Sequence, residues 1–145
     1  MNDIIESVLK WQALARPVPD DKGRMVAIGV HIEEISEMFG AMSMQEIEVP
    51  MSTLATAFKT GETEAGSLTY DMITINRKEL LDALCDQIVT AIGTAHCMGF
   101  DIVEAMKRVD SSNWSKFVDG APLFDANGKV TKGPNYQKPN LDGLY

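Results

Sequence analysis

The sequence predicts an all-α protein, a helical bundle of four to five helices that ends in an irregular C-terminal extension. Three observations lead there. Apolar residues recur every three or four positions through 3–15, 21–39 and 80–95, the period of helices with one buried face. Helix-start signals precede two segments: Asn76 with Glu79 three residues on, and Asp101 with Glu104. From Lys116 onward, glycine, proline and asparagine accumulate. With 145 residues, a single domain over 1–145 is expected, with residues 116–145 as its extension.

Taken in order, residues 3–15 place Ile4, Ile5, Val8, Leu9 and Ala15 at helical spacing, with Leu14 off the stripe. Pro17 and Pro19 break that helix, because proline lacks an amide donor and clashes with the preceding turn. A second helix should start near Asp20 or Asp21 and run to about Phe39. Ile28, Ile32, Ile35 and Phe39 would form its core stripe, and Gly40 its C-terminal cap. Pro50-Met51-Ser52-Thr53 suggests another helix start, with Leu54, Ala57 and Phe58 on one side; residues 60–63 read as loop. Residues 68–75 fit a short helix or an extended segment equally well. The long helix from Asn76 carries Leu80, Leu84, Ile88, Ala91, Ile92 and Ala95 on its apolar side, and Gly99 stops it. Ala83, Ala91, Gly93 and Ala95 would permit close helix approach. A further helix runs from Asp101 to about Val109. Residues 125–129 read as a turn, in the form of a small hairpin.

A net charge of −8 excludes a nucleic-acid polymer as partner, since neutralising a phosphate backbone needs a basic face. No stretch approaches the roughly 20 apolar residues of a membrane helix. Residues 1–6 are acidic where a secretory leader would be basic and then apolar, so the cytoplasm is the expected compartment. Cys85 and Cys97 lack CxxC spacing and fall in an apolar pattern, where a thiol acts as a small hydrophobe.

The residues that could carry chemistry are acids. Glu34 and Glu37 stand i, i+3 on one helix, with Glu33 nearly sharing their face. Glu79, Asp82 and Asp86 stand i, i+3, i+7 on the long helix. Carboxylates opposed at a helix seam repel unless a cation lies between them, and hard oxygen ligands suit Mg²⁺ or Mn²⁺. The plainer reading is a solvated face, with Glu79 serving only as a capping-box partner of Asn76. Against it, the positions i+4 from Glu34, Glu37, Glu79, Asp82 and Asp86 hold Met38, Ala41, Ala83, Asp86 and Thr90, so no base accompanies the acids.

EExxE followed by spaced acids on a second helix resembles the metal-binding signature of MazG-like all-α pyrophosphohydrolases, relatives of phosphoribosyl-ATP pyrophosphohydrolase. The resemblance extends to Ala15-Arg16-Pro17-Val18-Pro19 before the first acidic helix and to residues 79–101. It also takes in Ser112-Asn113-Trp114-Ser115-Lys116, Asn127-Gly128-Lys129 and Lys132-Gly133-Pro134-Asn135-Tyr136, which are similar to elements of phage and bacterial members. It implies a magnesium-dependent enzyme that cuts a (deoxy)nucleoside triphosphate, a purine deoxynucleotide by analogy, into monophosphate and pyrophosphate. Glu34 and Glu37 would be ligands, facing Asp82 and Asp86, with Glu79 a weaker candidate. Counting back from Gly99-Phe100-Asp101 places the family's aspartate on Asp86. Glu33 would be a supporting ligand or the general base for the attacking water. Asn113 and Lys116 would reach the nucleotide, and Trp11 could stack on its base. The alternatives are a cap for Asn113, a surface charge for Lys116 and a core position for Trp11. Relatives pair subunits, which implies a homodimer or homotetramer. Two other readings remain: phosphoribosyl-ATP hydrolysis on the same architecture, and a non-enzymatic helical interaction module. Residues 41–75 exceed the family's usual spacing and read as an insertion.

Overall fold

Side-chain caps set the starts of three helices, whereas the helix that follows Met44 begins without one. The computed structural model describes residues 2–18, 20–63, 66–67, 75–126 and 128–145. These hold the helices α1 (Asn2–Ala15), α2 (Asp21–Ala41), α3 (Gln45–Thr60), α4 (Arg77–Cys97) and α5 (Ile102–Trp114). Asp20, Asn76 and Asp101 accept hydrogen bonds from the amides of Gly23, Glu79 and Glu104 at 2.7, 3.3 and 3.1 Å. Each satisfies one of the donors that a helix start leaves without an intrahelical partner. The class is therefore all-α. The strands among the described residues form one two-residue antiparallel ladder, β1 (Glu62–Thr63) with β2 (Gly66–Ser67), where the sequence suggests loop at 60–63. Residues 68–74, where the sequence leaves helix and extended chain open, lie outside the described residues.

The chain divides into two compact units, one of Met1–Pro17, Ile73–Leu123 and Val130–Tyr145, the other of Val18–Met72 and Phe124–Lys129. In the second unit α2 and α3 pack as an antiparallel pair, and the contact face differs from the expected one. Ile28, Ile32, Ile35 and Phe39 are only half-buried, whereas Val26, Gly29 and Ser36 are buried. The reason is backbone proximity. A Cβ on Gly29 would lie 2.7 Å from both Ala55 O and Lys59 Cγ. Ser36 Oγ donates to Glu48 O at 2.9 Å, and Ala55 and Ala57 are buried on the facing helix. Small residues, not the branched stripe, set this contact. Gly40 likewise lies inside α2 rather than capping it, and a Cβ there would come within 2.8 Å of the Glu48 carboxylate. The left-handed residue beyond the helix is Ser43, at φ 60°.

Pro50 sits within α3, five residues after its start at Gln45, instead of beginning it. Its missing N–H leaves the Glu46 carbonyl without the usual i+4 donor, a defect confined to one bond. Gly61 then ends α3 in the left-handed region (φ 75°), which glycine adopts without steric cost.

In the first unit α5 packs against both α1 and α4. It extends to Trp114, beyond the Val109 limit read from the sequence. The polar run Asp110-Ser111-Ser112-Asn113 has low intrinsic helix propensity, and tertiary bonds override it. Ser7 Oγ donates to Asp110 Oδ2 at 2.7 Å, and buried Ser112 donates through Oγ to Gln137 O at 2.7 Å. The C-terminal tail runs antiparallel to α5. Gly133 N, Asn140 O and Leu144 O bond in turn to Lys116 O, Arg108 Nη1 and Asp101 N. The extension is irregular; the Asp125 amide donates to the Lys129 carbonyl, and Asn127 of the expected turn lies outside the described residues.

Among the described residues, nothing covers the apolar stripe of α4. Leu80, Leu84, Ile88 and Ile92 are exposed, as are Leu81 and Val89; Ala95 is buried. Cys85 and Cys97 are exposed free thiols for the same reason, rather than core hydrophobes.

Candidate functional site

Three candidate ligand-binding residues come together in the first unit. The last turn of α5 carries Asn113, and Lys116 follows one turn later, so both project from the same end of the helix. Lys116 Nζ donates to Asn113 Oδ1 at 2.7 Å and stands 5.8 Å from the centroid of the Trp11 ring on α1. Trp11 Nε1 donates to Asn113 O at 2.9 Å. Its ring stacks on buried Phe117 at 5.4 Å, and Trp114 meets Phe117 edge-on at 5.5 Å. Trp11 packs on buried Phe117 as a core position would, and its ring also walls the Lys116 ammonium while anchoring the helix end. Asn113 is likewise no simple cap, because its side chain holds the lysine.

Behind this group runs a polar relay that periodicity does not reveal. Trp114 Nε1 donates to Ser7 Oγ at 2.9 Å, and Ser7 in turn donates to Asp110. Asp110 Oδ1 is buried and has no hydrogen-bond partner among the described residues. A buried unsatisfied acceptor is costly, so the relay holds α1 and α5 in register against that cost.

Glu33 has a different setting. In the second unit its Oε1 accepts from Lys59 Nζ at 2.7 Å and its Oε2 from Lys129 Nζ at 3.0 Å. The hydrogen bond from Lys59 chiefly holds its proton affinity below the usual carboxylate value; partial burial opposes this and Lys129 reinforces it. Such a carboxylate is a poor acceptor for a proton from water, and both its oxygens already serve cations. Neither lysine could be inferred as a partner, since they stand 26 and 96 residues away.

Glu34 and Glu37 are exposed on α2, and Glu79, Asp82 and Asp86 are exposed along α4. The two sets belong to different units. Among the described residues, Glu37, Glu79, Asp82 and Asp86 have no lysine, arginine or histidine within ion-pairing distance. No group of three or more histidine, cysteine, aspartate or glutamate side chains is gathered to hold a metal among those residues. The donor chemistry suits a hard cation, whereas neither helix alone provides a closed cage.

No helix among the described residues is long and apolar enough to cross a membrane. Comparisons with family models, with curated proteins and with solved structures return no match.

Proposed function

We propose that the protein is a metal-dependent pyrophosphohydrolase that cleaves a (deoxy)nucleoside triphosphate, with a purine deoxynucleotide as first choice, to monophosphate and pyrophosphate. The observation that carries the reading is the convergence of Trp11, Asn113 and Lys116 on one half-buried point. A lysine held by an amide and walled by an indole offers a positioned positive charge for a phosphate. The carboxylates of α4, which pair with no base among the described residues, give further support, because acids without counter-ions attract a hard cation.

On this reading Glu34, Glu37, Asp82 and Asp86 would ligate Mg²⁺ or Mn²⁺, with Glu79 as an additional ligand. The ion would neutralise the triphosphate and acidify a water. Lys116 binds phosphate and stabilises the charge that develops on departing pyrophosphate. Asn113 aims Lys116, and Trp11 fixes Asn113. Glu33 orients Lys59 and Lys129 instead of accepting a proton. A homodimer or homotetramer would bury the apolar face of α4.

The test is pyrophosphate release from a panel of dNTPs, NTPs and phosphoribosyl-ATP in Mg²⁺. Release from a nucleoside triphosphate is expected, with loss in EDTA and in Glu37→Ala or Asp86→Ala at unchanged helix content. Preference for phosphoribosyl-ATP selects the histidine-pathway alternative. Silence across the panel overturns the enzyme.

One observation favours a second reading, a non-enzymatic helical interaction module: the uncovered stripe from Leu80 to Ile92 on α4. The two separate on Mg²⁺ titration of thermal stability. A cation bound by the folded state must raise Tm, and an unchanged Tm supports the module.

A further inference from the structure

We infer that the cleft between α5 and the C-terminal tail binds a small phosphate-bearing anion, at a place separate from the Lys116 group. The cleft has a volume of about 550 Å³ and is lined by Glu104, Lys107, Arg108, Ser111, Lys138 and Asn140, among others. That volume lies within the range of small-ligand sites, roughly 300–1,000 Å³. Its walls expose aliphatic and polar surface in about equal measure, but every lining residue except Pro139 carries a polar or charged side chain, and these charges favour an anion.

Helix geometry separates this cleft from the other group. Glu104, Arg108 and Ser111 recur at i, i+4, i+7 along one side of α5. Asp110 and Asn113 face α1 from another side.

The charge is locally inverted in an acidic chain. Three cationic side chains face one carboxylate, Glu104, which already serves Arg108 at 3.1 Å and Lys107 at 3.5 Å. Arg108 also donates through Nη1 to Asn140 O at 2.9 Å, so its guanidinium is fixed between helix and tail before any ligand arrives. Lys138 pairs with no carboxylate among the described residues. A fixed guanidinium, an unpaired ammonium and the Ser111 hydroxyl make a donor set for phosphate oxygens. The site is open to solvent, so binding is weak and sensitive to salt.

The test uses the whole chain in EDTA, where the proposed metal-dependent reaction is silent, so its failure and that of the enzyme reading are distinguishable. Inorganic tripolyphosphate, orthophosphate and citrate are titrated while backbone amide resonances are followed. Tripolyphosphate is expected to shift residues of α5 and of 137–140, and to bind more tightly than orthophosphate or citrate. Lys138→Ala should weaken it by roughly two- to fivefold, the scale of an exposed charge pair. Glu104→Gln should tighten it by a similar factor, because Lys107 and Arg108 lose their competing carboxylate while the Glu104 backbone cap remains. Shifts centred away from this cleft would overturn the inference. So would affinities unchanged in both variants, or citrate binding as tightly as tripolyphosphate.

Discussion

Helices α2 and α4 are both 21 residues long, both carry acids at i, i+3 spacing, and both have a glycine within their length. Their surroundings are opposite. In α2, Gly29 is pressed against the backbone of α3, while among the described residues nothing lies within 4 Å of a Cβ built on Gly93 in α4. In α2, Val26, Gly29 and Ser36 are buried; in α4, Ala95 is, and its large apolar residues face outward. A helical period shows which residues share a stripe. It does not show what covers that stripe, or whether a neighbour packs on a different one. Small residues decide the second question for α2, because close backbone approach needs Gly29 and Ser36 more than it needs isoleucine.

Substitutions along the two helices can break or sharpen this contrast. The largest effect is expected on α4. If a second copy covers its stripe, Ile88→Glu places an unpaired charge in the interface, at a cost of roughly 3 kcal/mol or more. That weakens assembly by over about a hundredfold. Light scattering should show wild-type dimers or tetramers and a monomeric variant; a wild type that is monomeric throughout removes the oligomer. Next comes Gly29→Val, whose branched side chain has no room against Ala55 and Lys59. It should cost about 2–3 kcal/mol in urea unfolding, and a neutral result would mean that the α2–α3 contact is looser than described.

Glu33→Gln is expected to cost about 1 kcal/mol, since its ion pairs are partly exposed. The sign of its pH dependence follows from a folded-state proton affinity held below the ordinary value of 4.5. The wild-type contribution is present above that value and is lost as pH falls through the lower, folded one. Melting curves between neutral and acid pH should therefore converge for wild type and Glu33→Gln at the acid end. Curves that stay parallel would remove Glu33 from the acid response. The smallest effect is a gain. Gly93→Ala should stabilise by about 0.5–1 kcal/mol, because alanine is the better helix former and meets no neighbour among the described residues. Destabilisation there would reveal a partner packed on α4.

The sequence was most legible where local chemistry acts alone. Asp20, Asn76 and Asp101 announce their helices because a cap is satisfied within three residues. Pro50 misleads, since proline favours a first turn yet is tolerated within α3. The end of α5 was illegible because Ser7 and Gln137, distant in sequence, hold its polar last turn. The association of Trp11 with Asn113 and Lys116 was legible only as separate residues, and their contact required the packing of α1 on α5. Glu33 shows the limit most clearly. Its place beside Glu34 groups it with the acids, and two remote lysines give it a different role.

The most direct measurement is Mn²⁺ titration of the isotope-labelled protein, reading paramagnetic broadening of backbone amides. At substoichiometric Mn²⁺, the strongest broadening is expected around Glu34 and Glu37 on α2 and around Asp82 and Asp86 on α4. It should vanish in Asp86→Ala. Broadening confined to one helix, or spread evenly over the acidic surface, would contradict ligation by both.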